Sequence, residues 1–157
     1  MKKNNKGFTL VELLVVIAIM GILASIVLVS LNNARQKARD VKRVGDMYQL
    51  QLALQGFYDD TQAYPGGDGV ATTCSSLAST LTALVPTYIA GLPVDPGGGG
   101  LVYAYDAALT TNGQSYVLRA DLENVAHSAL ASDVDGDATV NFGCDCADTN
   151  GYFCAKP

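Results

Sequence analysis

Glu12 is the only acidic residue before Asp40, and it stands at the head of a run, residues 13–31, that holds no charged side chain. At ~1.5 Å per residue that run is roughly 28 Å long as a helix, about the hydrocarbon thickness of a bilayer. A carboxylate at the edge of such a segment costs about 3 kcal/mol if unpaired, so it calls for a partner. In front of it stand Lys6-Gly7-Phe8-Thr9-Leu10-Val11, a lysine-bearing leader closed by a glycine. Hydrolysis after Gly7 would remove a hydrophilic leader and keep the apolar run, the reverse of an ordinary secretory signal. It would also create a free amine at Phe8, about one helical turn from Glu12. In a bundle of parallel helices, Glu12 of one copy can then meet the Phe8 amine of its neighbour. That pairing offsets the desolvation of both charges and fixes the axial register.

Three further groups could do chemistry. The four cysteines are Cys74, Cys144, Cys146 and Cys154. Joining Cys144 to Cys146 is sterically poor, so two pairings remain: Cys74 with one of that pair and Cys154 with the other. Either staples the C-terminal tail to the segment after the first helix, which suits an oxidising compartment. Asp133, Asp135 and Asp137 occupy alternate positions, with the Thr139 carbonyl and the Asn141 side chain following, the first nine positions of a calcium loop. Ala138 replaces the turn glycine and Cys144 the bidentate acid, so calcium is one reading and a solvated acidic turn the other. His127, the sole histidine, has no nucleophile or carboxylate at a spacing that suggests catalysis, and Gly97 to Gly100 lack the lysine of a phosphate loop. No enzymatic constellation and no required cofactor emerge.

Gly7-Phe8-Thr9-Leu10-Val11-Glu12 resembles the class III signal of type IV pilins and of the pseudopilins of type II secretion. The resemblance implies that a prepilin peptidase cuts between Gly7 and Phe8, that Phe8 is then N-methylated, and that Glu12 guides filament assembly. It implies a structural subunit that polymerises through its N-terminal helix into a type IV pilus-like filament, with a secretion pseudopilin as the alternative. A membrane-anchored binding or enzymatic domain is the reading from another class. The implied partners are further copies of the chain, other pilins, the peptidase and methylase, the assembly machinery and the lipid bilayer. Pro93-Val94-Asp95-Pro96 resembles the segment before the sheet in major pseudopilins, which also bind calcium in a loop of the region around Asp133.

The elements that must position these residues follow from charge and periodicity. The chain carries 15 acidic and 10 basic residues for a net charge of −5, which loss of the three leader lysines would take to −8. Arg35, Lys37, Arg39, Lys42 and Arg43 crowd the neck after the apolar run, where they face either acidic parts of neighbouring heads in a staggered stack or solvent and lipid phosphates. Beyond them only Arg119 and Lys156 are basic, which argues against nucleic acid as a partner. Basic residues flank both ends of the span, so charge alone leaves its orientation open. The distal cysteines and the resemblance place the N-terminus inside the cytoplasmic (inner) membrane and the head outside it.

The reading is a leader at 1–7, a membrane half of a stem helix at 8–31, an amphipathic half at 32–58 and a head at 59–157. In the second half Val41, Val44, Tyr48 and Leu52 form one apolar stripe, and Met47, Leu50, Leu54 and Phe57 a second beside it. Together they predict one broad face packed on a sheet. Asp59 to Gly67, with Tyr64-Pro65, end the helix. Residues 75–84 read as a short amphipathic helix. Residues 101–105 and 115–122 read as an antiparallel hairpin with Tyr116, Leu118, Ala120 and Leu122 on one face and Arg119 and Asp121 outward. A third strand lies at 138–142 or near Tyr152-Phe153. The fold class is α+β: a long N-terminal helical stem packed on a small antiparallel sheet.

Overall fold

The computed structural model describes residues 7–66, 74–98, 103–107, 113–134 and 144–157. One helix, α1, runs over Leu10–Thr61. The chain divides into two compact units, Met1–Gln36 and Lys37–Pro157.

In the first unit every apolar side chain from Phe8 to Leu31 is exposed. This stretch is long and apolar enough to cross a membrane. Bare in water, so large an apolar surface would be untenable, so it requires lipid or other helices around it. Within it the Ser25 hydroxyl donates to the Ile22 carbonyl at 2.7 Å.

The second unit holds the last turns of α1 and a four-stranded antiparallel sheet in sequence order: β1 Ser75–Ser76, β2 Ala104–Ala107, β3 Tyr116–Asp121 and β4 Tyr152–Ala155. A single-turn helix, α2 Leu77–Thr80, continues as a 3₁₀ turn over Leu81–Leu84. The predicted helix at 75–84 is therefore split, because its first two residues pair with Tyr105 and Ala104 of β2. The predicted strand at 101–105 is placed later, at Ala104–Ala107, with 101 and 102 outside the described residues. The third strand takes its second predicted position, and residues 138–142 lie outside the described residues.

Period-two alternation sets the core. Tyr105 and Ala107 of β2, Tyr116, Leu118 and Ala120 of β3, and Phe153 and Ala155 of β4 join one cluster with Met47, Leu50, Ala53 and Leu54 of α1 and Leu77, Leu81 and Leu84. The broad helical face divides here. Met47, Leu50 and Leu54 of its second stripe are buried and Phe57 is partly so, whereas Val41, Tyr48 and Leu52 of the first remain 62%, 56% and 75% exposed. The sheet's other face is covered as well: Ala104 and Val117 pack on Cys144, Cys146 and Cys154. Arg119 and Asp121 point to that side, as predicted, but pair with each other at 3.1 Å and are partly buried. Arg119 also lies over the Tyr152 ring at 4.3 Å.

Helix α1 ends three residues later than predicted. Gln62 takes a left-handed conformation (φ 60°) and its N–H donates to Tyr58, which closes the last turn before Tyr64-Pro65. Gly151 makes the tight entry to β4 with φ 75°, where a Cβ would stand 2.8 Å from the Leu122 carbonyl oxygen. Any larger residue there would push β4 off β3.

Candidate processing and assembly site

Gly7 and Phe8 precede the first helical residue, and both are exposed. The bond between them is therefore irregular backbone, which a peptidase can engage without unwinding a helix. Thr9 and Glu12 then bond reciprocally. The Thr9 N–H and hydroxyl donate to Glu12 Oε2 at 2.9 and 2.6 Å, and the Glu12 N–H donates to Thr9 Oγ1 at 3.2 Å. This is a capping box, Thr-x-x-Glu, and it satisfies orphan donors of the helix start that lipid could not. Glu12 thus has a partner in its own chain, which the expectation of a lone carboxylate did not contain. The spacing was readable in the sequence, but was hidden under the processing motif. Both bonds from Thr9 converge on Oε2; Oε1 has no partner among the described residues.

Near the start of the second unit an ion cluster binds α1 to two loops. Arg43 is fully buried and donates to Asp95 from Nε at 2.6 Å, to Asp40 from Nη1 at 2.7 Å and to Glu123 from Nη1 at 2.9 Å. Arg39 adds a two-pronged pair to Glu123, at 2.6 and 2.5 Å. Asp40, also buried, accepts the backbone N–H groups of Glu123 and Asn124 at 2.9 and 3.0 Å. The Arg39 hydrogen bond and then Arg43 hold the Glu123 carboxyl down to about 2, against some burial. The Arg43 bond likewise lowers Asp95, and these carboxylates raise Arg43, its bond with Asp95 most of all. Two of the five neck cations therefore pair within their own head, an outcome that neither reading of the neck contained. Lys42 leans loosely on Asp46 at 3.7 Å, and Arg35 and Lys37 are exposed.

The cysteines form Cys74–Cys144 and Cys146–Cys154, one of the two pairings left open by the sequence. Of the calcium-loop candidates, Asp133 is described: its Oδ2 accepts the Cys154 N–H at 2.7 Å and so fastens the loop's start to β4. Asp135, Asp137, Thr139 and Asn141 lie outside the described residues. Among the described residues no cluster of His, Cys, Asp and Glu could hold a metal ion. His127 Nδ1 accepts the Ala129 N–H at 3.1 Å and caps the 3₁₀ turn Ser128–Ser132, a structural role that uses up the nitrogen a base would need.

Residues 2–28 match the family model of the prokaryotic N-terminal methylation motif. The chain is 39% identical over 108 residues to the type II secretion system core protein G of Klebsiella michiganensis, covering 62% of this chain and 72% of that protein. It is 38% identical to the proteins of the same name from Escherichia coli (strain K12) and Vibrio cholerae, covering 63% and 66% of this chain and 71% and 74% of theirs. No solved structure matches the chain.

Proposed function

Because the chain belongs to the type II secretion system core protein G family, we propose that it is the repeating subunit of a secretion pseudopilus, built by cleavage after Gly7 and lateral packing of α1. The observation that carries this is the identity itself, 32–39% to proteins of that one name and reaching well past the shared motif into the head. It reverses the order of the sequence reading, which put a surface pilus first. The chain is a structural subunit and not an enzyme, so the tethered-enzyme reading falls away.

An apolar run with no buried residue anchors the chain in the inner membrane until a machine extracts it. Cleavage leaves Thr9 and Glu12 in place, so the capping box survives processing, and Oε1 of Glu12 remains for the amine of a neighbour's Phe8. The N-terminus would lie on the cytoplasmic side and the head outside, where an oxidising compartment keeps both disulfides closed. Copies stacked by one repeated displacement make a heterologous interface, which grows a fibre rather than closing a ring.

Expression at native level beside its own assembly genes tests the reading. Short periplasmic fibres, with exoprotein secretion lost on deletion, support it; long surface pili with secretion intact overturn it in favour of the pilus.

A further inference from the structure

The two disulfides form one strap across the sheet. Cys74 immediately precedes β1 and bonds Cys144; two positions on, Cys146 bonds Cys154 inside β4. β1 and β4 are the two edges of the sheet. The strap packs on Ala104 of β2 and Val117 of β3, so one covalent path spans all four strands. It is also sealed. Cys144, Cys146 and Cys154 are 0%, 1% and 1% exposed, and Cys74 is partly buried. Thiol–disulfide exchange needs a thiolate with access to a sulfur, and Cys146–Cys154 gives none in the folded head. At the other bond the open end is Cys74. Attack there must expel Cys144 as a thiolate into apolar packing, which burial disfavours. Once the head has closed, neither bond is readily remade.

Packing alone does not choose the partners, because Cys144 and Cys146 lie two positions apart in the same buried cluster, on which Cys74 also packs. The bonds matter to closure itself. By chain entropy, loops of 70 and 8 residues together shift the folding equilibrium by roughly 10⁵-fold, and small domains have folding constants of about 10³–10⁸. Pairing must therefore be right at the first attempt, while the chain is still open.

We propose that the head is a substrate of a dithiol oxidase on the outer side of the membrane, which joins the cysteines in the order they emerge, before the sheet closes and without an isomerase. The inference rests on the pseudopilin reading for the side of the membrane on which the head folds. Chain order makes the oxidase sufficient. Cys74 emerges first and Cys144 is the next thiol; Cys146 follows and Cys154 is next after it, so joining successive thiols gives the native pairs. In each round one cysteine thiolate attacks the oxidase disulfide, which forms a mixed disulfide and frees one oxidase thiol. The second cysteine attacks the mixed bond, closes the protein disulfide and frees the other oxidase thiol. Two electrons and two protons pass from the cysteine pair to the oxidase each time.

Two measurements test this. With the purified full chain, reduction of Cys146–Cys154 by dithiothreitol should run at a rate set by unfolding, unchanged when the reductant is raised about tenfold. A rate that rises in proportion to the reductant overturns the sealing and the inference with it. In cells, the full chain expressed with its assembly genes is scored for protease resistance of the head and for connectivity by peptide mass mapping. Loss of the outer dithiol oxidase should lower the resistant chain about tenfold or more. Loss of the disulfide isomerase should leave both amount and connectivity unchanged. Cys74–Cys146 or Cys144–Cys154 bonds in isomerase-deficient cells overturn the inference, as does a resistant head made without the oxidase. Cleavage after Gly7 and polymer formation are read in the same cells: if these fail while the bonds form as described, the pseudopilin reading falls and this inference stands.

Discussion

Arg43 Nε donates to Asp95 Oδ2 at 2.6 Å in a contact where the two side chains are 0% and 7% exposed. This one bond ties the middle of α1 to the Pro93–Pro96 segment, and Glu123 joins it from the end of β3. That segment is therefore a clamp on the helix.

Removing the cation should be costly. Arg43→Met would leave Asp40, Asp95 and Glu123 facing one another with only Arg39 in reach, and loss of one partner from a buried pair costs about 3–5 kcal/mol. Thermal unfolding of the head should shift down by at least about 10 °C, whereas Lys37→Met should leave it within a degree or two.

Acid should weaken the same clamp. Glu123 and Asp95 have folded-state values below their unfolded ones, which are about 4.3 and about 3.9. Depressed carboxyls contribute stability above the unfolded value and lose it as pH falls through the folded one. The melting temperature should hold from pH 7 to about pH 5 and fall between about pH 4.5 and about pH 2. Asp121 works in the opposite sense, since burial raises its value. In Arg39→Met the acid-induced fall should be shallower, because the first cause of the Glu123 shift is gone.

The two disulfides should be unequal. Cys74–Cys144 closes 70 residues and Cys146–Cys154 only 8. Chain entropy gives about 4 kcal/mol for the first and about 2.5 kcal/mol for the second. Paired serine substitutions, compared by denaturant unfolding, should show the larger loss for Cys74 and Cys144.

The acidic loop supplies a separate expectation. With Asp133 pinned to the Cys154 N–H, calcium held by Asp133, Asp135, Asp137, the Thr139 carbonyl and Asn141 would brace β4 and the second disulfide. Millimolar calcium should raise the melting temperature, and Asp135→Asn with Asp137→Asn should abolish the rise. An unchanged melting temperature in the native chain would mean a solvated turn.

What the sequence made legible was whatever periodicity and punctuation encode. The apolar run, the continuous helix, the alternation of Tyr116, Leu118 and Ala120 and the reduced set of cysteine pairings all read directly from spacing. Long-range partners did not. Nothing local distinguishes Met47, which the sheet covers, from Tyr48, which it leaves out, because that choice depends on where the sheet lies. The pairings of Arg39 and Arg43 with the head could not be read, because Asp95 lies 52 positions from Arg43 and Glu123 lies 80 and 84 positions from Arg43 and Arg39. Thr9 was readable as a cap from its spacing to Glu12, yet the processing motif drew both residues into another explanation.

On this reading the chain becomes a subunit only after the Gly7–Phe8 bond is cut. Intact mass with N-terminal sequencing of the membrane-extracted protein tests that most directly. The mature chain should start at methylated Phe8 and carry no free thiol. A chain that keeps its first seven residues would contradict it.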